Sequence, residues 1–331
     1  MGGHQSFPRV TLPKERVAIV TGANTGIGYE TAKWIAMMGA TVILACRSED
    51  RAREAMVRMN TDFKLEKERK TIGVVDYPEL SLEFMKLDCA SLESVMDFVE
   101  EFKLSGRQLH VLVCNAGIGL HKQEYTGDGY ELMFQVNYLS HFLLAAHLLP
   151  ILKTSGEDCR IVLVSSEAHR FCEFNLDTIQ GNQFNEETFG RLTFYGNSKA
   201  FQIMQMFSMN RRLKASNVTV TSLHPGMVET ELPRNFQDMK TFICFTSVTK
   251  CIGKLKSPYE GAETSINAAV NPELKGVRDV YYDNCKPARI HRVVANTQNQ
   301  ESLWTYTLEC LKKRLVISDD IIKTLEGEQV F

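Results

Sequence analysis

Tyr195 and Lys199 stand four residues apart in FYGNSKAF, at the start of a stretch with helical apolar periodicity. Four residues is just over one helical turn, so both side chains leave the same face, a proton donor beside a cation. A free phenol titrates near pH 10, and bringing it to about 7 takes about 4 kcal/mol of preferential stabilisation of the phenolate. A neighbouring ammonium, helped by a positively charged ring bound nearby, supplies an effect of that size. The same two residues on a solvated helix would do nothing, so the residues elsewhere that join them decide the reading.

The first of those lies near the amino terminus. TGANTGIG at 21–28 sets Gly22, Gly26 and Gly28 between the β-rich run RVAIV and the segment GIGYETAKWIAMMG. In that segment Ile27, Thr31, Trp34 and Ile35 form one helical stripe, which Gly39 ends. A strand that turns on glycines into a helix aims unpaired backbone N–H groups and the positive end of the helix dipole at one point, where a phosphate belongs. Which nucleotide binds depends on the end of the second strand, where an acidic residue would take the ribose 2′-OH of NAD. Cys46 and Arg47 stand there instead. An arginine pairs with a 2′-phosphate and favours NADP(H) over NAD(H). Glu49 and Asp50 are the competing acids, and Ser48 before them reads as a helix cap with acidic first-turn residues.

These stretches need a scaffold, and the chain repeats one. The runs RVAIV, TVILAC, EFMKL, HVLVC, RIVLV and NVTVTSL alternate with helical stretches, and DVYYD at 279–283 joins the edge. Such alternation predicts an α/β fold, a Rossmann-type doubly wound, mostly parallel sheet of about seven strands flanked by helices. The expected organisation is an extension at 1–14, a single domain at 15–315 with a substrate lid around 226–256, and a tail at 316–331. Residues 60–80, rich in Lys and Glu, read as a solvated excursion.

With these motifs in this order the chain resembles the short-chain dehydrogenase/reductase family. The glycine loop is Thr21 to Gly28, the N-A-G segment is Asn115, Ala116 and Gly117, and an active-site quartet falls on Asn137, Ser166, Tyr195 and Lys199. The resemblance implies that Gly22, Thr25, Gly26, Ile27, Gly28, Arg47, Asp88, Asn115, Ala116, Gly117, Val228 and Thr230, with Tyr195 and Lys199, bind the cofactor. Asp88 would contact the adenine; Val228 and Thr230, in HPGMVET, would meet the nicotinamide carboxamide. It also implies that Tyr195 is the general acid or base, that Lys199 lowers its pKa and holds the ribose, and that Ser166 binds the carbonyl oxygen. Ser166 is preferred to Ser165 by strand alternation, and Asn137 would position a relay water. The stretches VSSEAHRF, DGYELMFQVNYLSHFLL and SPYEGAETS resemble the retinol dehydrogenase-like and WW-oxidoreductase-like branch. That branch implies a small lipophilic substrate of retinoid, sterol or polyprenoid type. Family members commonly form homodimers.

Composition excludes other classes. Hydrophobic residues at 44%, charged residues at 24% and a net charge of −2 describe a globular chain without the basic surface that nucleic-acid binding needs. Nine cysteines without a CxxC pair read as reduced core thiols of a cytoplasmic protein. The eight histidines form no metal-ligand spacing, so no metal is expected. The strongest apolar run, FLLAAHLLPIL at 142–152, is short for a bilayer span. MGGHQS fits a myristoylation pattern at Gly2, and residues 232–256 mix Phe236, Phe242, Ile243 and Phe245 with lysines, as a lid or a membrane-surface segment would. The expected function is an NADP(H)-dependent oxidoreductase of lipophilic alcohols, cytoplasmic with room for contact at a membrane surface. The alternative is a nucleotide-binding scaffold that acts through protein partners.

Overall fold

Apolar residues on both faces of the strands mean that helices must cover both sides of the sheet. A computed structural model describes residues 7–228 and 255–327. It contains β1 (Val17–Thr21), β2 (Thr41–Cys46), β3 (Leu82–Lys86), β4 (Val111–Cys114), β5 (Cys159–Val164), β6 (Val218–His224), β7 (Tyr281–Asp283) and β8 (Lys286–Pro287). They form one sheet in the order β3-β2-β1-β4-β5-β6-β7-β8. Seven strands are parallel; the eighth, two residues long, pairs antiparallel with β7 and was not anticipated from DVYYD alone.

The described α-helices of seven or more residues are α1 (Gly26–Met37), α2 (Glu49–Glu68), α3 (Leu92–Leu104), α4 (Leu132–Thr154), α5 (Arg191–Arg212), α6 (Pro258–Val270), α7 (Thr297–Lys313) and α8 (Asp319–Leu325). Side-chain alternation sends Ala18, Val20, Val42 and Leu44 into an apolar layer with α1, α2 and α6. Ile19, Ile43, Leu112 and Ile161 enter the opposite layer with α3, α4 and α5. The chain reverses its direction of winding between β1 and β4, and ligands of such sheets bind outside the carboxyl ends of strands at that point.

Helix α4 is long and apolar enough to cross a membrane, with mean hydropathy 1.3 over its best window, yet it is buried in the fold as its central helix. Glu131 starts it, its carboxylate accepting the N–H groups of Met133 at 3.0 Å and Phe134 at 2.6 Å. One turn later, Gln135–Leu139 winds as a π-helix, a local distortion often found at functional sites.

Ser48 caps α2 as read, accepting from Arg51 N–H at 3.4 Å. The excursion read at 60–80 is corrected: α2 continues to Glu68, and Phe63, Val75 and Leu80 are buried. Lys and Glu dominate its composition, but the apolar stripe among them packs on the sheet. Six of the seven described cysteines are buried and all seven are unpaired.

The first and last described residues are packed onto the domain. Phe7 is buried against Trp34, with ring centroids 6.0 Å apart, and the Arg9 guanidinium lies 3.7 Å over the Trp34 ring. Arg9 also donates to the Tyr259 hydroxyl at 3.0 Å, and Leu12 N–H donates to Met38 O at 2.7 Å. At the other end, Trp304 Nε1 donates to Glu326 at 2.7 Å, and Leu325 is buried. Gly2 lies outside the described residues. Phe7→Ala is expected to lower the unfolding free energy by about 2–4 kcal/mol, the cost of emptying a buried aromatic site. Urea denaturation followed by the fluorescence of Trp34 and Trp304 measures it. A loss below about 0.5 kcal/mol would show that the arm adds nothing to the fold.

Candidate active site

The seam between β1 and β4 is built on one hydroxyl. Thr21 Oγ1 accepts the N–H groups of Asn115 at 2.9 Å and Ala116 at 2.8 Å, and Asn115 Nδ2 donates back to Thr21 O at 2.9 Å. The next residue, Gly22, has φ +66, and a Cβ there would stand 3.0 Å from Ala116 Cα. Gly28 is tighter: a Cβ would meet Asn115 Nδ2 and Gly22 O, each at 2.4 Å. Only glycine lets the helix approach the strand ends this closely. Gly26 opens α1 after an extended Thr25 whose side chain makes no capping bond, so the first-turn N–H groups are not capped by that side chain. Ile27 is buried under the loop, and Arg58 braces it by donating to Asn24 O at 3.1 Å. A bare helix N-terminus on a glycine turn at the winding reversal fits the pyrophosphate of a dinucleotide.

At the end expected to take the adenine, Arg47 is exposed directly after β2. Of its acidic competitors, Glu49 is engaged by Arg53 at 2.6 Å. Asp88 lies just past β3, beside the end of β2, since Leu87 N–H donates to Cys46 O at 3.0 Å. Its Oδ1 accepts from Ala90 N–H at 2.9 Å, which fixes the carboxylate in its loop.

At the other end of the seam, α5 carries Tyr195 and Lys199. Burial raises the phenol above its ordinary pKa, and a hydrogen bond with Ser166 partly offsets this. Burial also lowers the Lys199 ammonium to about 7. Its Nζ donates to Val164 O at 2.9 Å and Gln202 Oε1 at 3.3 Å, so the cation is turned into the strand end. A Cβ on Gly117 would lie 3.0 Å from Asn137 Oδ1 and 3.3 Å from Lys199 Nζ, which explains a glycine in the N-A-G segment.

The two serines differ sharply. Ser165 faces inward and donates to Lys199 O at 2.7 Å, whereas Ser166 accepts from Ala168 N–H at 3.2 Å and stands beside Tyr195. Asn137 lies within the π-helix. Its Oδ1 accepts from Ile118 N–H at 2.8 Å, and its Nδ2 donates to Ile118 O and Ser198 Oγ, both at 2.9 Å. The Asn137 side chain therefore clamps the loop after β4, with both its amide protons used in doing so.

Around Tyr195 the wall is apolar. Phe189 and Phe194 stack with centroids 4.1 Å apart, Phe184 packs edge-on to Phe194, and Met133 and Ile118 complete the cluster that Tyr195 joins. Val228 bridges to Lys256, whose N–H donates to Met227 O at 2.8 Å, so the two ends of the expected lid are tied together. Residues 229–254 of the expected lid, Thr230 among them, lie outside the described residues.

Neither the Thr21 hydroxyl nor His141, Arg58 and Gln202 stands out in the sequence as part of the site. Thr21 had a signal, its place directly before the loop glycine. His141 sits in an apolar run where local pattern marks nothing.

This is the architecture of a nicotinamide-dependent oxidoreductase, and sequence comparison agrees. Residues 16–176 match the family model "short chain dehydrogenase". The chain is 36% identical over 302 residues to human polyprenol dehydrogenase, covering 89% of this chain and 84% of that one. It is 36% identical over 291 residues to human retinol dehydrogenase 14, covering 87% and 84%. With the WW domain-containing oxidoreductase of Gallus gallus it shares 37% over 306 residues, covering 91% and 69%. The chain belongs to the short-chain dehydrogenase/reductase family, in the branch of the retinol dehydrogenases and the WW domain-containing oxidoreductase, and is an oxidoreductase that uses a nicotinamide cofactor.

The buried Lys199 destabilises the fold that carries it. Its folded pKa of about 7 lies below the unfolded value of 10.5, so the unfolded chain binds more protons between those limits. Its contribution therefore improves as pH rises through that window. Lys199→Met is expected to raise the unfolding free energy near pH 7 by about 1–3 kcal/mol and to remove part of that pH slope. Urea denaturation at pH 6.5 and 9.5 checks this, and an unchanged midpoint at both would show that the burial costs nothing.

Proposed function

We propose that this protein reduces the carbonyl of a lipophilic aldehyde or ketone, or oxidises the matching alcohol, with NADP(H) preferred over NAD(H). The substrate is retinoid-, sterol- or polyprenoid-like. The observation that carries this is the surroundings of Tyr195: a phenol paired with Ser166, four residues from a buried lysine, and bordered by Phe184, Phe189, Phe194, Ile118 and Met133. An apolar wall with a few convergent polar groups suits a hydrophobic molecule with one reactive oxygen. The names of the relatives point the same way. Arg47, exposed at the end of β2 with Glu49 engaged elsewhere, supports a 2′-phosphate.

When bound, the nicotinamide supplies or accepts the hydride. The side chains manage the proton and the charge. Ser166 donates to the carbonyl oxygen as negative charge builds on it, and Tyr195 delivers the proton there. Lys199 has two of its three N–H groups on Val164 O and Gln202. The third is suited to a ribose hydroxyl, and the charge of Lys199 then lowers the cost of the phenolate. Asn137 holds the loop after β4 and, through Ser198, the backbone of Tyr195. Cellular NADP pools favour reduction. Homodimer formation and peripheral contact with a membrane, through the basic and apolar run at 232–256, belong to the same proposal.

Purified protein mixed with NADPH and a panel of all-trans-retinal, citral and a steroid ketone is expected to consume NADPH with at least one of them. Tyr195→Phe is expected to lower that rate about 10²-fold or more with NADPH binding retained. Arg47→Asp is expected to reverse the cofactor preference, a change of about tenfold or more. No consumption across the panel would sink the reading, and a biological effect that survives Tyr195→Phe would favour the scaffold.

A further inference from the structure

His141 is fully buried in α4 and has no place in the proton transfer just described. Each of its ring nitrogens is nonetheless engaged. Nε2 lies 3.0 Å from Thr21 Oγ1, and Nδ1 lies 3.2 Å from the backbone carbonyl of Asn137. The partners fix the tautomer. A carbonyl only accepts, so Nδ1 carries the proton and donates it to Asn137 O. Thr21 Oγ1 already accepts two backbone N–H groups, from Asn115 and Ala116, so its own proton has only two places to go. Those are Val113 O at 3.4 Å and His141 Nε2 at 3.0 Å, and the shorter contact is the imidazole. The ring is neutral in this arrangement, consistent with burial holding its pKa down at about 4.

The contacts join into a line. Thr21 Oγ1 donates to His141, His141 to Asn137 O, Asn137 Nδ2 to Ser198 Oγ at 2.9 Å, and Ser198 Oγ to Tyr195 O at 2.8 Å. One end is the last residue before the phosphate-binding glycines; the other is the backbone of the proposed acid. Asn137 O also belongs to the π-helix Gln135–Leu139, where the hydrogen-bond ladder of α4 slips by one residue. An imidazole one turn on, bonded to that carbonyl, holds the slip in place. A histidine fits because it spans two acceptor-or-donor sites through a rigid ring, which an apolar residue cannot do.

We propose that His141 is a positioning residue that couples the cofactor loop to the active site, holding the π-turn around Asn137 in register with Thr21. It rests on the reading of Thr21–Gly28 as the cofactor loop and on Tyr195 as the acid, but its test does not need turnover.

Hydrogen exchange is measured on wild type and His141→Phe, each with and without NADPH, together with NADPH affinity from fluorescence. In wild type, NADPH is expected to slow exchange both at 21–28 and at 135–139, the latter by about threefold or more. In His141→Phe, protection at 21–28 is expected to persist while the NADPH effect at 135–139 disappears. With a carbonyl that wild type reduces, kcat of the variant should fall about tenfold, with KM for the carbonyl changed less than about threefold. Should His141→Phe fail to fold, His141→Gln, whose amide serves one of the two partners, should show the same loss in weaker form. An NADPH effect at 135–139 that is the same in variant and wild type overturns the proposal. So does a lowered thermal midpoint with unchanged coupling and unchanged kcat, since that is the mark of a packing residue. If wild type reduces no carbonyl, the proposed function fails and the exchange comparison alone still decides on His141.

Discussion

The strand seam at Thr21 is the constraint from which the site follows. Where winding reverses between β1 and β4, two strand ends lie side by side with no crossover helix above them, and their backbone groups would otherwise be unsatisfied. One threonine hydroxyl takes up two of those N–H groups, and Asn115 returns a donor to Thr21 O. With the seam closed in this way, the glycines can pass within contact distance of Asn115 and Ala116, and the start of α1 points at the crevice. The same closure leaves Gly117 over Asn137 and Lys199, which brings the end proposed for catalysis within reach of the glycine loop.

The second organising feature is polar groups placed where solvent does not reach. Lys199, Asn137, His141 and Ser165 are all buried, and each is bonded to backbone as well as to side chains. Buried donors and acceptors left unpaired are costly, so such a network tolerates few alternative arrangements. Rigidity is gained at the expense of stability, most plainly at Lys199, whose charge is desolvated without a carboxylate partner in direct contact among the described residues. An active site placed at the end of a rigid sheet can carry such strain because the layers on either side, built from α1, α2 and α6 and from α3, α4 and α5, bury large apolar clusters.

Much of the scaffold was legible because period and punctuation are local. The alternation of β-rich runs with helical stripes gives the parallel sheet; glycine after the first strand gives the turn; Ser48 followed by acids gives the cap. The misreading at 60–80 has a local cause too. Residues 60–80 are rich in Lys and Glu, and composition hid the spacing of Phe63, Val75 and Leu80, which face the core from a charged helix and loop. Residues 1–14 carried too little pattern to show that Phe7 and Arg9 would find Trp34 and Tyr259, partners 27 and 250 residues away.

The sequence by itself determined the class of chemistry: which residue types are available, Tyr with Lys one turn away and glycines between strand and helix, and in what order. Those are properties of short segments, and short segments set turns, helix faces and strand ends. Only the tertiary structure decided what each side chain does with its hydrogen bonds. Asn137 clamps Ile118, Ser165 turns inward while Ser166 meets Tyr195, and a histidine in an apolar run becomes the link between Thr21 and the π-turn. Apart from the contact of His141 with Asn137 one turn away, those partners lie 19 to 120 residues apart, and no local pattern encodes a pairing that packing alone brings about.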